Sequence, residues 1–265
     1  MFDIAFKRIT PLKVIRKLSS TFNATTFLIR AILDGNEIEC CLKILKQFKH
    51  NNEIALLSKG FEFAPDVIEY DDSQWYIVYG IANGIGYLYT SECMKKQIIC
   101  SSAEKLSEIH KINFGAISHR QYEQHALFDS ALQSKFIKIM PDIKNYIVNY
   151  GNIDTDFCFI HGDYHVQNMM FDRCGNVSNI IDWEHCGLYH KEYDLAYAVI
   201  PRLDCYFNTQ EVELFLNSYS GQFDENRFLY YYYQLSCVCY ENHNRCSDEL
   251  YKEMVSNIKS VVKPG

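Results

Sequence analysis

The stretch 157–184, FCFIHGDYHVQNMMFDRCGNVSNIIDWE, decides how this chain is read. An apolar run from Phe157 to Ile160 leads into a tight turn at His161-Gly162-Asp163, and Asn168 follows Asp163 by five residues. Two more apolar runs, Met169 to Phe171 and Val177 to Ile181, flank a turn at Arg173 to Asn176. The last run ends on Asp182. Short strands that deliver polar groups at their ends hold functional atoms rigidly.

An aspartate, an asparagine five residues on and a second aspartate closing a strand reproduce the spacing of a kinase catalytic loop with its metal-binding aspartate. Phosphoryl transfer needs a carboxylate near the acceptor hydroxyl and oxygen ligands for magnesium, and Asp163, Asn168 and Asp182 supply those types in that order. A histidine-glycine-aspartate turn alone is a common surface feature. Here Asn168, Asp182 and Asp194 stand in register with it. The stretch resembles the aminoglycoside phosphotransferase and choline kinase superfamily of small-molecule kinases. Its HGDxHxxN pattern stands as HGDYHVQN and its IDWE or IDFG as IIDWE, and Tyr193-Asp194-Leu195-Ala196 is similar to its "yDLA" element.

The resemblance extends upstream. Residues 52–81, NEIALLSKGFEFAPDVIEYDDSQWYIVYGI, are similar to a glutamate-led helix, a P-x-V before a strand, and an aromatic strand running into a linker. It implies an α+β, protein-kinase-like bilobal fold, with a small N-terminal antiparallel-sheet lobe and a larger, mainly helical C-terminal lobe. It implies Lys43 on the nucleotide phosphates, positioned by Glu53, with Val78, Tyr79 and Ile81 at the nucleotide. Asp163 would orient and deprotonate the acceptor hydroxyl, His161 would brace the loop, and Asn168 and Asp182 would hold Mg2+. Asp194 would tie the catalytic segment to its neighbouring helix, and His165 and Glu184 would border the acceptor. ATP or GTP would be the donor, and an aminoglycoside-like or other aminated alcohol such as choline the leading acceptor. A metal-dependent hydrolase using His161, Asp163, His165 and Asp182, or a silent kinase-like binding module, is the rival reading.

The rest of the chain agrees with a two-lobe plan. Runs rich in β-formers fill residues 10 to 80: Leu12 to Leu18, Thr26 to Leu33, and Ile38, Cys40, Leu42 and Ile44 in alternating phase, with Asp34-Gly35 as a turn between the last two. Lys43 falls on the opposite phase of its strand, where a lysine pays desolvation unless it meets an anion. Trp75 to Tyr79 reads as a buried strand. Gly80, Gly84 and Gly86 suggest a link, placing the nucleotide lobe at 1–82 and the catalytic and acceptor lobe at 83–265. Between the first strands, where kinases often carry glycines over the phosphates, residues 19–25 contain none.

Helical periodicity dominates afterwards. Ala103, Leu106 and Ile109 form one face, Phe128, Leu132, Phe136 and Ile139 another, and Ile143, Tyr146, Ile147 and Tyr150 a third. Leu195 to Ile200 is apolar all round, and Val212, Phe215, Leu216 and Tyr219 form a further face. A final helix is expected from Ser247, with Lys259 and Lys263 towards its end. The Tyr230 to Tyr233 run cannot face one way on a helix, so some of its rings are expected at the surface.

Composition fits a globular protein: 265 residues, 48% hydrophobic and 22% charged. No apolar run approaches the roughly 20 residues of a membrane span, and the first residues do not read as a secretory signal. The 11 cysteines lack metal-type pairs and suggest reduced thiols in the cytoplasm. A net charge of −7 argues against nucleic-acid binding.

Overall fold

The computed structural model describes residues 4–20, 23–46, 53, 56, 61–71, 73–113, 124–150, 156–202, 206–241 and 247–262. Five strands form an N-terminal sheet: β1 (Ile9–Ser20), β2 (Ala24–Leu33), β3 (Asn36–Leu45), β4 (Val67–Asp71) and β5 (Tyr76–Tyr79), ordered β1-β2-β3-β5-β4. All four pairings are antiparallel. Asp34 and Gly35, at φ 49° and 81°, make the two-residue turn joining β2 to β3, as the pair of positive φ values in a primed hairpin turn requires. The outermost strand, β1, is largely exposed and its register with β2 shifts at three points. Irregularity of that kind, with Lys13, Arg16 and Lys17 along the strand, protects a sheet edge from pairing with other chains.

The strand after Trp75 begins one residue later than expected. Trp75 sits at φ 56° and is exposed, so it closes the β4–β5 turn and the buried strand starts at Tyr76.

The C-terminal part is mainly helical, with two small antiparallel sheets. Strands β7 (Cys158–Ile160) and β10 (Gly187–Tyr189) pair, and β6 (Ile85–Gly86), β8 (Met169–Phe171) and β9 (Val177–Ile180) form the other sheet. The helix Lys95–Ile109 buries Ala103, Leu106 and Ile109 as its periodicity predicts. The expected Phe128–Ile139 stripe divides between the helices Gln124–Gln133 and Phe136–Ile139. Between them, Ser134 breaks the helical run; its hydroxyl engages the Cys237 carbonyl and Glu241. The expected final helix likewise divides at Asn257, into Asp248–Ser256 and Ile258–Val261. Lys259 therefore falls within a separate short helix, and Lys263 lies outside the described residues.

The tyrosine run is the largest departure. On the helix Glu225–Glu241, Tyr230, Tyr231, Tyr232 and Tyr233 are all buried, at 8%, 1%, 2% and 1% exposure. The helix runs through the lobe with partners on several sides, so no ring is left for the surface. Tyr150 stacks on Tyr230 at 4.6 Å, and the Tyr231 hydroxyl pairs with His190 Nδ1 at 2.7 Å. Tyr231→Phe removes that buried hydrogen bond and is expected to cost about 1–3 kcal/mol. Thermal unfolding should register it as a loss of several degrees.

Candidate active site

Gly162 makes the catalytic-type turn possible. Its φ is +83°, and a Cβ there would collide with the His185 carbonyl oxygen. Asp194, on the helix Lys191–Val199, clasps the turn: its two carboxylate oxygens accept the His161 amide at 2.7 Å and the Gly162 amide at 2.8 Å. His110 lies 3.4 Å from the same carboxylate.

His161 is fully buried. Its Nδ1 accepts the Asp163 amide at 3.2 Å, which puts the ring proton on Nε2, 3.1 Å from the Ile181 carbonyl. Burial lowers its pKa and keeps it neutral. It therefore fastens the Asp163 turn to Ile181, the residue between the end of β9 and Asp182.

Asn168 completes the loop. Its Nδ2 donates to the Asp163 carbonyl at 3.0 Å and to Asp163 Oδ2 at 2.9 Å, while its backbone carbonyl accepts the Ile181 amide at 2.9 Å. With the amide nitrogen spent on Asp163, the carboxamide oxygen is left as an acceptor. One residue past Ile181 the chain turns through a left-handed conformation, Asp182 at φ 65° and ψ 54°, stabilised by the Trp183 indole donating to the Ile180 carbonyl at 2.8 Å. That turn sends the Asp182 carboxylate across to the N-terminal sheet.

There it meets Lys43. The ammonium is buried, with Glu53 at 3.2 Å, Asp182 at 3.0 Å and Glu184 at 3.1 Å. Burial alone would lower the lysine pKa, but the three carboxylates outweigh it and raise it. Glu53 is set by the Tyr79 hydroxyl, which donates to it at 2.8 Å. One ammonium against three carboxylates leaves excess negative charge, and the open donors are oxygens. That set suits a hard divalent cation.

Lys43, Glu53, Tyr79, Ile81, Asn168, Asp182 and Glu184 line one cleft of about 480 Å3. Two expected placements change. Val78 is buried on the other face of β5, packed with Ile9, Ile29 and Leu42, because successive strand residues face opposite ways. Glu184, expected beside the acceptor, is folded back by the left-handed turn onto Lys43, where Asn23 also donates to it at 3.3 Å. The glycine-free segment reaches this cleft through Ser19 and Ala24, while 21–22 lie outside the described residues.

Asp163 faces the other way as well. His165 Nε2 is 3.6 Å from its Oδ1, and the Tyr197 phenol and the Arg202 guanidinium lie beyond. Burial would raise the Asp163 pKa, yet His165, Tyr197 and Arg202 together push it well down, so the group is ionised. Sequence reasoning missed Tyr197 and Arg202. The one available signal was a lone arginine directly after the apolar run and Pro201. Both ring nitrogens of His161 are engaged within the protein, to the Asp163 amide and the Ile181 carbonyl, so it offers no lone pair to the metal that the hydrolase reading requires.

Two measurements check this architecture. Gly162→Ala should abolish activity or folding, read by turnover and circular dichroism. The neutral His161 adds an acid sensitivity: below pH 6.5 the unfolded histidine takes up a proton that the folded one refuses. Stability should therefore fall as pH drops from 6.5, by about 1.4 kcal/mol per unit while the difference lasts. Thermal unfolding between pH 8 and 5 reads that slope, which His161→Asn should flatten.

Residues 108–228 match the model of the phosphotransferase enzyme family, a span that holds Asp163, Asn168, Asp182 and Asp194. No curated protein matches the chain in sequence. Among solved structures, the streptomycin–ATP ternary complex of APH(2″)-IIa aligns at 18% identity and a TM-score of 0.59, covering 83% of this chain and 81% of that one. Spectinomycin phosphotransferase APH(9)-Ia, in complex with ADP and spectinomycin, aligns at 13% identity and TM-score 0.61, covering 97% and 89%. A choline/ethanolamine kinase family protein from Mesorhizobium loti aligns at 14% identity and TM-score 0.56, covering 94% and 87%. The family match is confined to residues 108–228, and over most of its length the chain shares the fold of these phosphotransferase and choline/ethanolamine kinase family structures.

Proposed function

We propose that this protein transfers the γ-phosphoryl group of ATP or GTP to a hydroxyl of a small molecule, and that it works in the cytoplasm. The observation that carries the reading is the meeting of Lys43 with Glu53 and Asp182, 139 residues apart from Lys43 in the second case, above a loop that joins Asp182 to Asp163 through Asn168. Residues 1–82 would be the nucleotide lobe and 83–265 the catalytic and acceptor lobe.

In this reading the triphosphate enters the cleft and draws Lys43 from Asp182 and Glu184, while Glu53, held by Tyr79, keeps the ammonium in place. Tyr79 and Ile81 border the nucleotide. The Asn168 carboxamide oxygen and the Asp182 carboxylate would hold Mg2+, which when bound neutralises charge on the phosphate oxygens. The ionised Asp163 takes the proton of the acceptor hydroxyl as the acceptor oxygen bonds to the γ-phosphorus. The bond from that phosphorus to the bridging oxygen breaks, and the nucleoside diphosphate leaves. Catalysis on this plan is positioning plus charge stabilisation.

The family likeness makes an aminated alcohol, such as an aminoglycoside or choline, the first acceptor class to try. Purified protein with Mg-ATP or Mg-GTP and a broad set of hydroxylated compounds should yield a phosphorylated product, detected by mass. Asp163→Asn should lower kcat by roughly 10²–10⁴-fold with the unfolding temperature maintained, the loss typical of a missing general base. Unchanged turnover in that variant removes Asp163 from the chemistry. Nucleotide binding without transfer to any acceptor supports a binding module instead.

A further inference from the structure

On the far side of Asp163 lies a cation whose charge helps keep Asp163 ionised but whose hydrogen-bond donors the phosphoryl-transfer plan does not use. Arg202 follows the helix Lys191–Val199, and its guanidinium carbon sits 4.1 Å from the centre of the Tyr197 ring. Its Nε and Nη2 are both buried, and among the described residues neither has a hydrogen-bond partner. Those two nitrogens share one edge of the guanidinium, the fork that grips two oxygens of a carboxylate or phosphate side by side. Buried N–H groups without partners are rare, because removing them from water is costly unless something replaces it. Here an entire bidentate edge is left over. His165 Nδ1, on the same side of Asp163, is likewise buried and unpartnered.

Position separates this edge from the nucleotide. Asn168 engages one oxygen of Asp163 and lines the Lys43 cleft; His165 faces the other oxygen. Arg202, Tyr197 and His165 are absent from that cleft lining, so in the phosphotransferase reading they belong to the acceptor side of Asp163. The charge of Arg202 reaches Asp163 without forming a hydrogen bond through its Nε or Nη2. A purely structural arginine would spend this fork on Asp163.

We propose that the Nε–Nη2 edge of Arg202 binds an oxyanion on the acceptor, so that the substrate is an alcohol carrying a carboxylate or a phosphate group. This rests on the phosphotransferase reading and narrows it. A second cationic group, as in a hydroxy amino acid, fits as well, but a purely cationic aminoglycoside or choline does not use the arginine. Tyr197 fixes the plane of the guanidinium by stacking, and the anion so anchored places the hydroxyl at Asp163.

The test uses the whole protein with matched acceptors: hydroxy acids, hydroxy amino acids and sugar acids, each beside its amide and its amine, with phosphorylated alcohols as a further arm. Phosphoryl transfer is followed by product mass, and ligand binding by thermal shift. The expected result is at least tenfold higher kcat/KM for the oxyanion member of a set. Arg202→Gln should erase that preference mainly through KM, and Arg202→Lys, which keeps the charge but loses the fork, should be intermediate. Preference for carboxylates or for phosphate esters identifies which oxyanion is taken. The proposal is overturned if amides or amines are used as well, if the preference survives Arg202→Gln, or if Arg202→Gln and Arg202→Lys lower kcat uniformly across every set. The last result assigns the arginine to the transferred phosphoryl group. Stabilisation by oxyanions that depends on Arg202, with no transfer to any compound, would sink the phosphotransferase reading and leave the anion site. Transfer without an Arg202-dependent preference would do the reverse.

Discussion

A single buried ammonium ties the two parts of this molecule together. Lys43 rises from the third strand of the N-terminal sheet and is met by Glu53 from one side and by Asp182 and Glu184 from the other. A lysine in such a place is expensive to desolvate, and its retention makes sense only with anions around it. Buried ion pairs contribute little net stability compared with apolar packing, so the arrangement is better understood as fixing geometry. With three carboxylates on one cation, the cleft is short of positive charge. The mouth is bordered by Arg16 and Leu18 from the exposed first strand.

The opposite wall is built to keep Asp163 still. Asp194 takes two consecutive backbone amides, His161 bridges the turn to Ile181, and Asn168 bridges it to Asp163. Each of these bonds lies within the helical lobe and is insulated by the aromatic core around Trp183, whose ring meets Phe61 edge-on at 4.8 Å. Phe61 comes from the segment just before β4, and the Phe63 carbonyl accepts the Ile180 amide at 2.6 Å. That segment of the N-terminal part thus docks on the end of β9, two residues before Asp182. Among the described residues no helix is long and apolar enough to cross a membrane, and the cysteines there are free thiols.

Much of this was legible before any coordinates. Gly162, Asp163 and Asn168 sit at offsets a tight turn imposes, and the apolar run Val177 to Ile181 announces β9, although the strand closes at Ile180, two residues before Asp182. Lys43 was marked by its phase in a strand of alternating residues. The failures have physical reasons. Glu184 follows Asp182 by two residues, but the sequence does not reveal the left-handed turn that swings it back to Lys43. Val78 and Tyr79 are neighbours on opposite faces of one strand, so only one could reach the cleft. The four tyrosines are buried because the helix carrying them has partners on several sides, a property of topology rather than periodicity. Arg202 belongs to no motif, and only the folded neighbourhood exposes its empty fork.

The account stands on Lys43, Asn168 and Asp182 forming one site for a metal-bound triphosphate. Calorimetric titration with ATP and GTP, with and without Mg2+, on the wild-type protein and on Asp182→Asn addresses it directly. Wild-type affinity should rise at least tenfold when Mg2+ is present, about 1.4 kcal/mol, and Asp182→Asn should lose that increment. Equal affinity with and without the metal in both proteins would contradict the account at its root.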